Sequence, residues 1–315
     1  MKKLLWIVVL LLGVGDVLTA RAAEGPMETV GMSELYQMRV DEDRVYRLAE
    51  NPRLLIFDFA DLARQGAAFN RMAAFLEKRG TVDKILDDRQ LEARIAEEHT
   101  DANHFFLGHD YRISDVARFF NTAWARNVPL NGAEQQVRQR LVEMKFLHSG
   151  AQGELEGEPE AALIAVAQGA TQADALHTSL EERTLLLRHE LSHGEFLTNP
   201  AYRGYCQEFW QRLTADERQI FLQELAHLGY ESAHESLMVN EMQAYLWEPV
   251  KGGFLQMTLV KQGKNDFSAL RSRFLAGLME RSQPVTAFFD LPQHRDLLPV
   301  ANHTGKRSVI RKISG

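Results

Sequence analysis

One segment constrains this chain more than any other. Residues 183–196 read as a helix, with Ser179 and Glu182 forming a capping box in front of it and Asn199-Pro200 stopping it. Leu185, Leu186, Leu187 and Leu191 make that helix largely apolar, so it belongs inside the protein. Yet His189, Glu190, His193 and Glu195 lie in the same stretch. Two imidazoles and two carboxylates in a mostly buried helix are costly unless something pairs them. The fold must therefore bury this helix and bring partners to its polar groups.

Residues 189–193 spell H-E-L-S-H. Positions four apart stand one turn apart on the same helix face. His189 and His193 can thus offer two ring nitrogens to one tetrahedral zinc at about 2.0–2.1 Å. Glu190 is one residue on from the first of them, so it lies beside such an ion rather than on it. There its carboxylate can take a proton from a water that the metal acidifies. A catalytic zinc needs a third protein ligand and keeps one position open. Cys206 is the sole cysteine, which excludes an intrachain disulfide and a Cys-rich zinc finger and leaves His, Asp or Glu for the third ligand. Glu241, in the helical stretch Asn240-Glu241-Met242-Gln243-Ala244-Tyr245, is the preferred candidate, because Ala244 offers a small side chain where two helices must approach. Glu235, His234 and Glu195 are its rivals, although Glu195 lies about 200° round the helix from His193 and points away. His227, His234, Tyr202, Arg203 and Tyr205 are open candidates for stabilising a developing oxyanion. His104 and His109 read as core or surface histidines, and Cys206 as a core thiol.

H-E-L-S-H followed by a separate helix carrying N-E-x-x-A resembles the zincin metallopeptidases, and among them the gluzincins, in which a downstream Glu completes the site. The resemblance covers residues 161–247. It implies an α+β fold, predominantly helical, with a zincin-like core: a small sheet whose edge strand receives a peptide, an active-site helix and a glutamate helix. By the same resemblance His189, His193 and Glu241 hold one catalytic Zn2+, Glu190 is the general base, and the substrate is a peptide or protein. Residues 161–167 are expected to be the edge strand. The pattern departs at Tyr245, because an Asp often follows the ligand Glu by four residues. Tyr245 is then either the group that orients His189 from behind or a core aromatic. The H-x-x-G-x-x-H extension of the metzincins is missing. A catalytically inactive zincin-like protein, acting as an envelope binding or scaffold protein, is the alternative.

The N-terminus carries Lys2 and Lys3, then twelve largely apolar residues (4–15, LLWIVVLLLGVG), then Ala20-Arg21-Ala22. That run is too short to span a bilayer well, and it reads as a signal peptide over residues 1–22 with an A-x-A cleavage site. A periplasmic or secreted address without a lipid anchor or a lasting membrane span follows. The formal net charge of −7 argues against nucleic acid as a partner. The Gly-, Glu- and Pro-containing stretch 149–160 is the expected boundary between an N-terminal α/β region (23–150), whose role the sequence does not assign, and the catalytic region (151–315). Strands are expected at 53–59, 104–107 and 161–167. Helices are expected at 62–78, at 86–98, at 114–126 behind Ser114, and at 133–146. Further helices are expected at 201–213, behind Thr214 and Glu217 as far as 228, at 235–247 behind Ser232, and at 267–281. The basic tail from 305 reads as a frayed end.

Overall fold

Two apolar runs organise the protein. In a computed structural model that describes residues 27–248 and 268–279, Leu54–Phe59 forms strand β3 and Ala162–Ala167 forms strand β7. They pair in parallel, Leu54 opposite Ala162 through Phe59 opposite Ala167. Both are buried along their whole length, which is why they read as continuous apolar runs rather than as alternating ones. Around them lie β1 (Thr29–Val30), β2 (Arg44–Leu48) and β4 (Gly108–Arg112), in the order β1-β2-β3-β7-β4. The expected signal peptide (1–22) and the basic tail from 305 fall outside the described residues.

Alternation along the central strands divides the core in two. Leu54, Ile56, Ala162, Ile164 and Val166 face one side, and Leu55, Phe57, Phe59, Leu163 and Ala165 face the other. The second side is covered by α2 (Leu62–Leu76), α4 (Ile113–Ala125) and α5 (Gly132–Glu143). The first side is covered by α6 (Leu180–Thr198), with α1 (Met32–Gln37), α7 (Pro200–Arg212), α8 (Ala215–His227), α9 (Glu235–Trp247) and α10 (Ser268–Met279) contributing to the same core. Helix α3 (Asp88–Glu97) lies outside α2 and covers Ala74 and Phe105 through Ile95. The result is a mixed α+β protein, mostly helical, with a small sheet between helical layers. Among the described residues no helix is long and apolar enough to cross a membrane.

The expected capping boxes form: Ser179 with Glu182 opens α6, and Thr214 with Glu217 opens α8. Other expectations are corrected. Residues 161–167 are not the edge strand, since β7 is paired on both sides and β4 holds the edge. Position 150 is not a domain boundary, because β7 from the C-terminal region sits between β3 and β4 from the N-terminal one. The apolar-poor stretch 149–160 instead holds part of a surface hairpin, β5 (Leu147–Ser149) with β6 (Leu155–Gly157). Residues 104–107 precede the strand: Phe105 is drawn into the small cluster of Ala74 and Ile95, and Lys78 Nζ stands over the rings of Phe105 and Phe106. Ser114 lies inside α4, and α9 is preceded by His234 with no side-chain cap bond.

Helix α6 is fixed to the sheet at two points. Near its start, the buried Arg183 guanidinium donates to both carboxylate oxygens of buried Asp58 on β3, at 2.9 and 3.1 Å, while Gln168 Nε2 donates to the same carboxylate. Further on, Gly194 lets the helix approach so closely that a Cβ there would stand 2.4 Å from Leu54 Cδ2. Removing one partner of a buried ion pair strands the other charge. Arg183→Ala is therefore expected to destabilise the protein by about 3–5 kcal/mol in denaturant unfolding. A loss below about 1 kcal/mol would show that Asp58 does not depend on Arg183.

Candidate metal centre

Helix α9 packs against α6 and brings Glu241 to the two histidines. His189 Nε2 lies 3.9 Å from Glu241 Oε2, and His193 Nε2 lies 3.8 Å from Glu241 Oε1. The two imidazole rings meet edge-on, with centroids 4.6 Å apart. All three residues are buried, and Glu241 Oε2 has no hydrogen-bond partner among the described residues. Three donors about 2.1 Å from one tetrahedral ion stand about 3.4 Å apart. The two histidine–carboxylate separations here are longer, at 3.8 and 3.9 Å, and one donor atom from each of the three residues lies within 4.8 Å of the others.

The outer ring nitrogens are held from behind. His189 Nδ1 lies 3.1 Å from Glu248 Oε1, at the residue that ends α9. His193 Nδ1 faces Asp110 Oδ2 at 3.8 Å and the side chains of Asn240 and Gln243. Asn240 Nδ2 donates to Asp110 Oδ2 at 2.9 Å, and the Tyr202 hydroxyl donates to Gln243 Oε1 at 2.7 Å. Carboxylates behind ligating histidines fix tautomer and ring orientation. If the centre holds zinc through His189, Glu248→Ala is expected to weaken zinc affinity about 10–100-fold, measured by competition with a chromogenic chelator. An unchanged affinity would mean that His189 is oriented by its packing alone.

Strand β4 runs along α6 in step with it. Its alternate residues face the helix: Gly108 meets Glu190, Asp110 meets His193, and Arg112 Nη1 donates to Leu197 O at 2.8 Å. Two residues of strand cover a length close to that of one helical turn, so each face residue meets the next turn. Glu190 Oε2 is buried without a hydrogen-bond partner among the described residues.

Burial sets the protonation of these groups. It holds His189 down at about 3 and His193 at about 4, so both rings are neutral, the form that binds metal. It also pushes the Glu241 carboxyl well above the usual carboxylate range, with the charge of Asp110 adding to the effect. Glu190 is raised in the same direction by burial, then by Asp110, Glu241 and Glu77. Glu77, which ends α2, is raised by burial and by Asp110 and Glu241. Its backbone accepts from Glu231 N, and Lys78 bridges to Tyr230, which ties that end of α2 to the loop before α9. Buried carboxyls crowded in this way are stable when protonated or when set against a cation.

His189, Glu190, His193 and Glu241 thus come together as the spacing implied. The rivals do not join them. Glu195 accepts from Asn51 and Asn199 away from the site, and His234 and Glu235 are exposed. Tyr245 does not bond the ring nitrogen of His189; its ring meets the imidazole edge-on at 4.8 Å, and Glu248 occupies the orienting position. Of the oxyanion candidates, His227 is exposed, Tyr205 donates to Phe274 O, and Arg203 donates to Phe196 O and Leu197 O. The hydroxyl near the site belongs instead to Tyr230, which lies close enough to the Glu241 and Tyr245 side chains to oppose part of the rise that burial imposes on both. His104 pairs with Asp101 on the surface, and His109 is buried against Phe69 and Tyr111 on the opposite face of β4. No family model, curated protein or solved structure matches this chain.

Proposed function

We propose that this protein is an exported zinc-dependent metallopeptidase built on a zincin-like core. The observation that carries the reading is the convergence of three buried donors, His189 Nε2, His193 Nε2 and the Glu241 carboxyl, near Glu190, whose buried Oε2 has no hydrogen-bond partner among the described residues. Export rests on the apolar run 4–15 and the Ala20-Arg21-Ala22 site.

The donor set, two neutral imidazoles and one carboxylate, is that of a catalytic zinc with an open position. When bound, zinc supplies Lewis acidity toward a substrate carbonyl and toward water. Glu190 takes the proton of the attacking water at Oε2 and returns it to the leaving amine. Its burial suits it to this work, because a raised carboxyl pKa brings base and acid forms closer in energy near neutral pH. Glu248 keeps His189 in the orientation that presents Nε2, and Asp110 sets a negative charge behind His193 at 3.8 Å. Among the described residues the edge strand β4, antiparallel to β7, has no strand partner on its other side, where an extended peptide can align.

Incubation with casein and a peptide library tests the reading. The wild-type protein is expected to cut peptide bonds, and the Glu190→Gln protein is not. Zinc binding without cleavage by either protein would favour the envelope-binding alternative.

A further inference from the structure

We infer that Gly108 is a positioning residue for Glu190, a role that rests on the peptidase reading above. An ideal Cβ built on Gly108 would stand 2.1 Å from Glu190 Oε1, 2.6 Å from its Cδ and 2.9 Å from its Cγ. The carboxyl of Glu190 therefore occupies the space that any other residue at position 108 would fill with its own side chain. Gly108 is not in the left-handed region, so this position needs glycine for room rather than for backbone freedom.

Two parts could yield to an added methyl group, and the structure says which one does. The backbone of Gly108 is held in the ladder opposite Val166, and β7 is pinned on its far side by β3. Two residues on, Asp110 is fixed by Asn240, and two further, Arg112 is fixed to Leu197 O. The strand therefore cannot move away from α6 without breaking the Arg112–Leu197 O bond, the Asn240–Asp110 bond or its ladder with β7. The Glu190 side chain, by contrast, has rotatable bonds, and its Oε2 has no hydrogen bond to break among the described residues. Its carboxyl moves, and the fold and the ligands stay. The absent side chain of Gly108 thus sets where the base stands relative to the three donors.

The test is a double-mutant cycle of Gly108→Ala and Glu190→Gln on the zinc-loaded protein. Gly108→Ala is expected to keep one zinc per chain and the wild-type melting temperature. Its kcat is expected to fall about 10²-fold, the cost of misplacing a reacting group by about 1 Å, with little change in KM. The acid limb of its pH–rate profile moves, because the environment of the base has changed. In the Glu190→Gln background, Gly108→Ala adds no further loss. A crystal structure of Gly108→Ala is expected to show the Glu190 carboxyl displaced and the β4–β7 pairing intact. Wild-type kcat and pH profile in Gly108→Ala would overturn the inference. So would an equal loss in the Glu190→Gln background, or loss of zinc or of the folded state. A wild-type protein that cuts no peptide overturns the peptidase reading instead.

Discussion

Glu190→Gln is expected to lower kcat/KM by about 10²–10⁴-fold while leaving zinc content unchanged, the range for loss of a general acid–base group. The reasoning is geometric. Glu190 is outside the group formed by His189, His193 and Glu241, although with Asp110 and His193 it makes a second group of possible donors. With the metal in the first group, an amide at position 190 leaves both imidazoles and Glu241 where they were. Glutamine is isosteric, and the Gly108 pocket still fits it. The substitution should not destabilise the fold, because it replaces a buried carboxyl with a neutral group that costs less to bury. Retained metal with lost turnover is the signature of a base. Loss of metal would reassign Glu190 as a ligand, and retained turnover would remove it from the chemistry.

The second large effect is a pH-dependent hold on the metal. His189 and His193 titrate at about 3 and about 4 in the folded protein, so neither ring gives up a proton on binding metal above about pH 5. Glu241 and Glu190 are raised well above ordinary carboxylates, so the metal-free protein keeps protons there that a cation displaces. Zinc affinity is then expected to rise with pH, about tenfold per unit for each proton displaced, until the raised carboxyl values are passed. The sign for stability follows. A carboxyl raised in the folded state costs nothing below its unfolded value of about 4.3, where both states are protonated. Above that value the unfolded chain ionises freely, and the metal-free protein loses stability until the folded value is reached. Chelation should therefore lower the melting temperature more at pH 7.5 than at pH 5.5. Calorimetric titration of zinc in buffers of different ionisation enthalpy counts the protons released. A proton count that changes only near pH 6.5 would assign them to histidines and contradict the burial of the rings.

Much of this site is local in the chain, and that part was legible. The spacing of His189 and His193 and the cap at Ser179 are helical signals within one or two turns. Glu248 also had a signal, standing seven residues after Glu241 and hence two turns on along nearly the same face. Asp110 and Gly108 had none. They come from a strand far from α6 in sequence, and only the β4–β7 register sets them against Glu190 and His193. The same long-range pairing joined two regions that composition divides at 149–160, where a surface hairpin carries the polar, Gly-containing sequence of a linker. Residues 161–167 are apolar on both faces, which fits a central strand better than an edge one. The edge strand is the one whose alternate residues Gly108, Asp110 and Arg112 meet a polar helix face.

Metal analysis of the purified wild-type, His189→Ala and Glu241→Ala proteins by mass spectrometry tests the metal centre most directly. One zinc per wild-type chain is expected, with loss of stoichiometric zinc in each variant. A wild-type protein that binds no stoichiometric metal, or variants that keep a full complement, would contradict it.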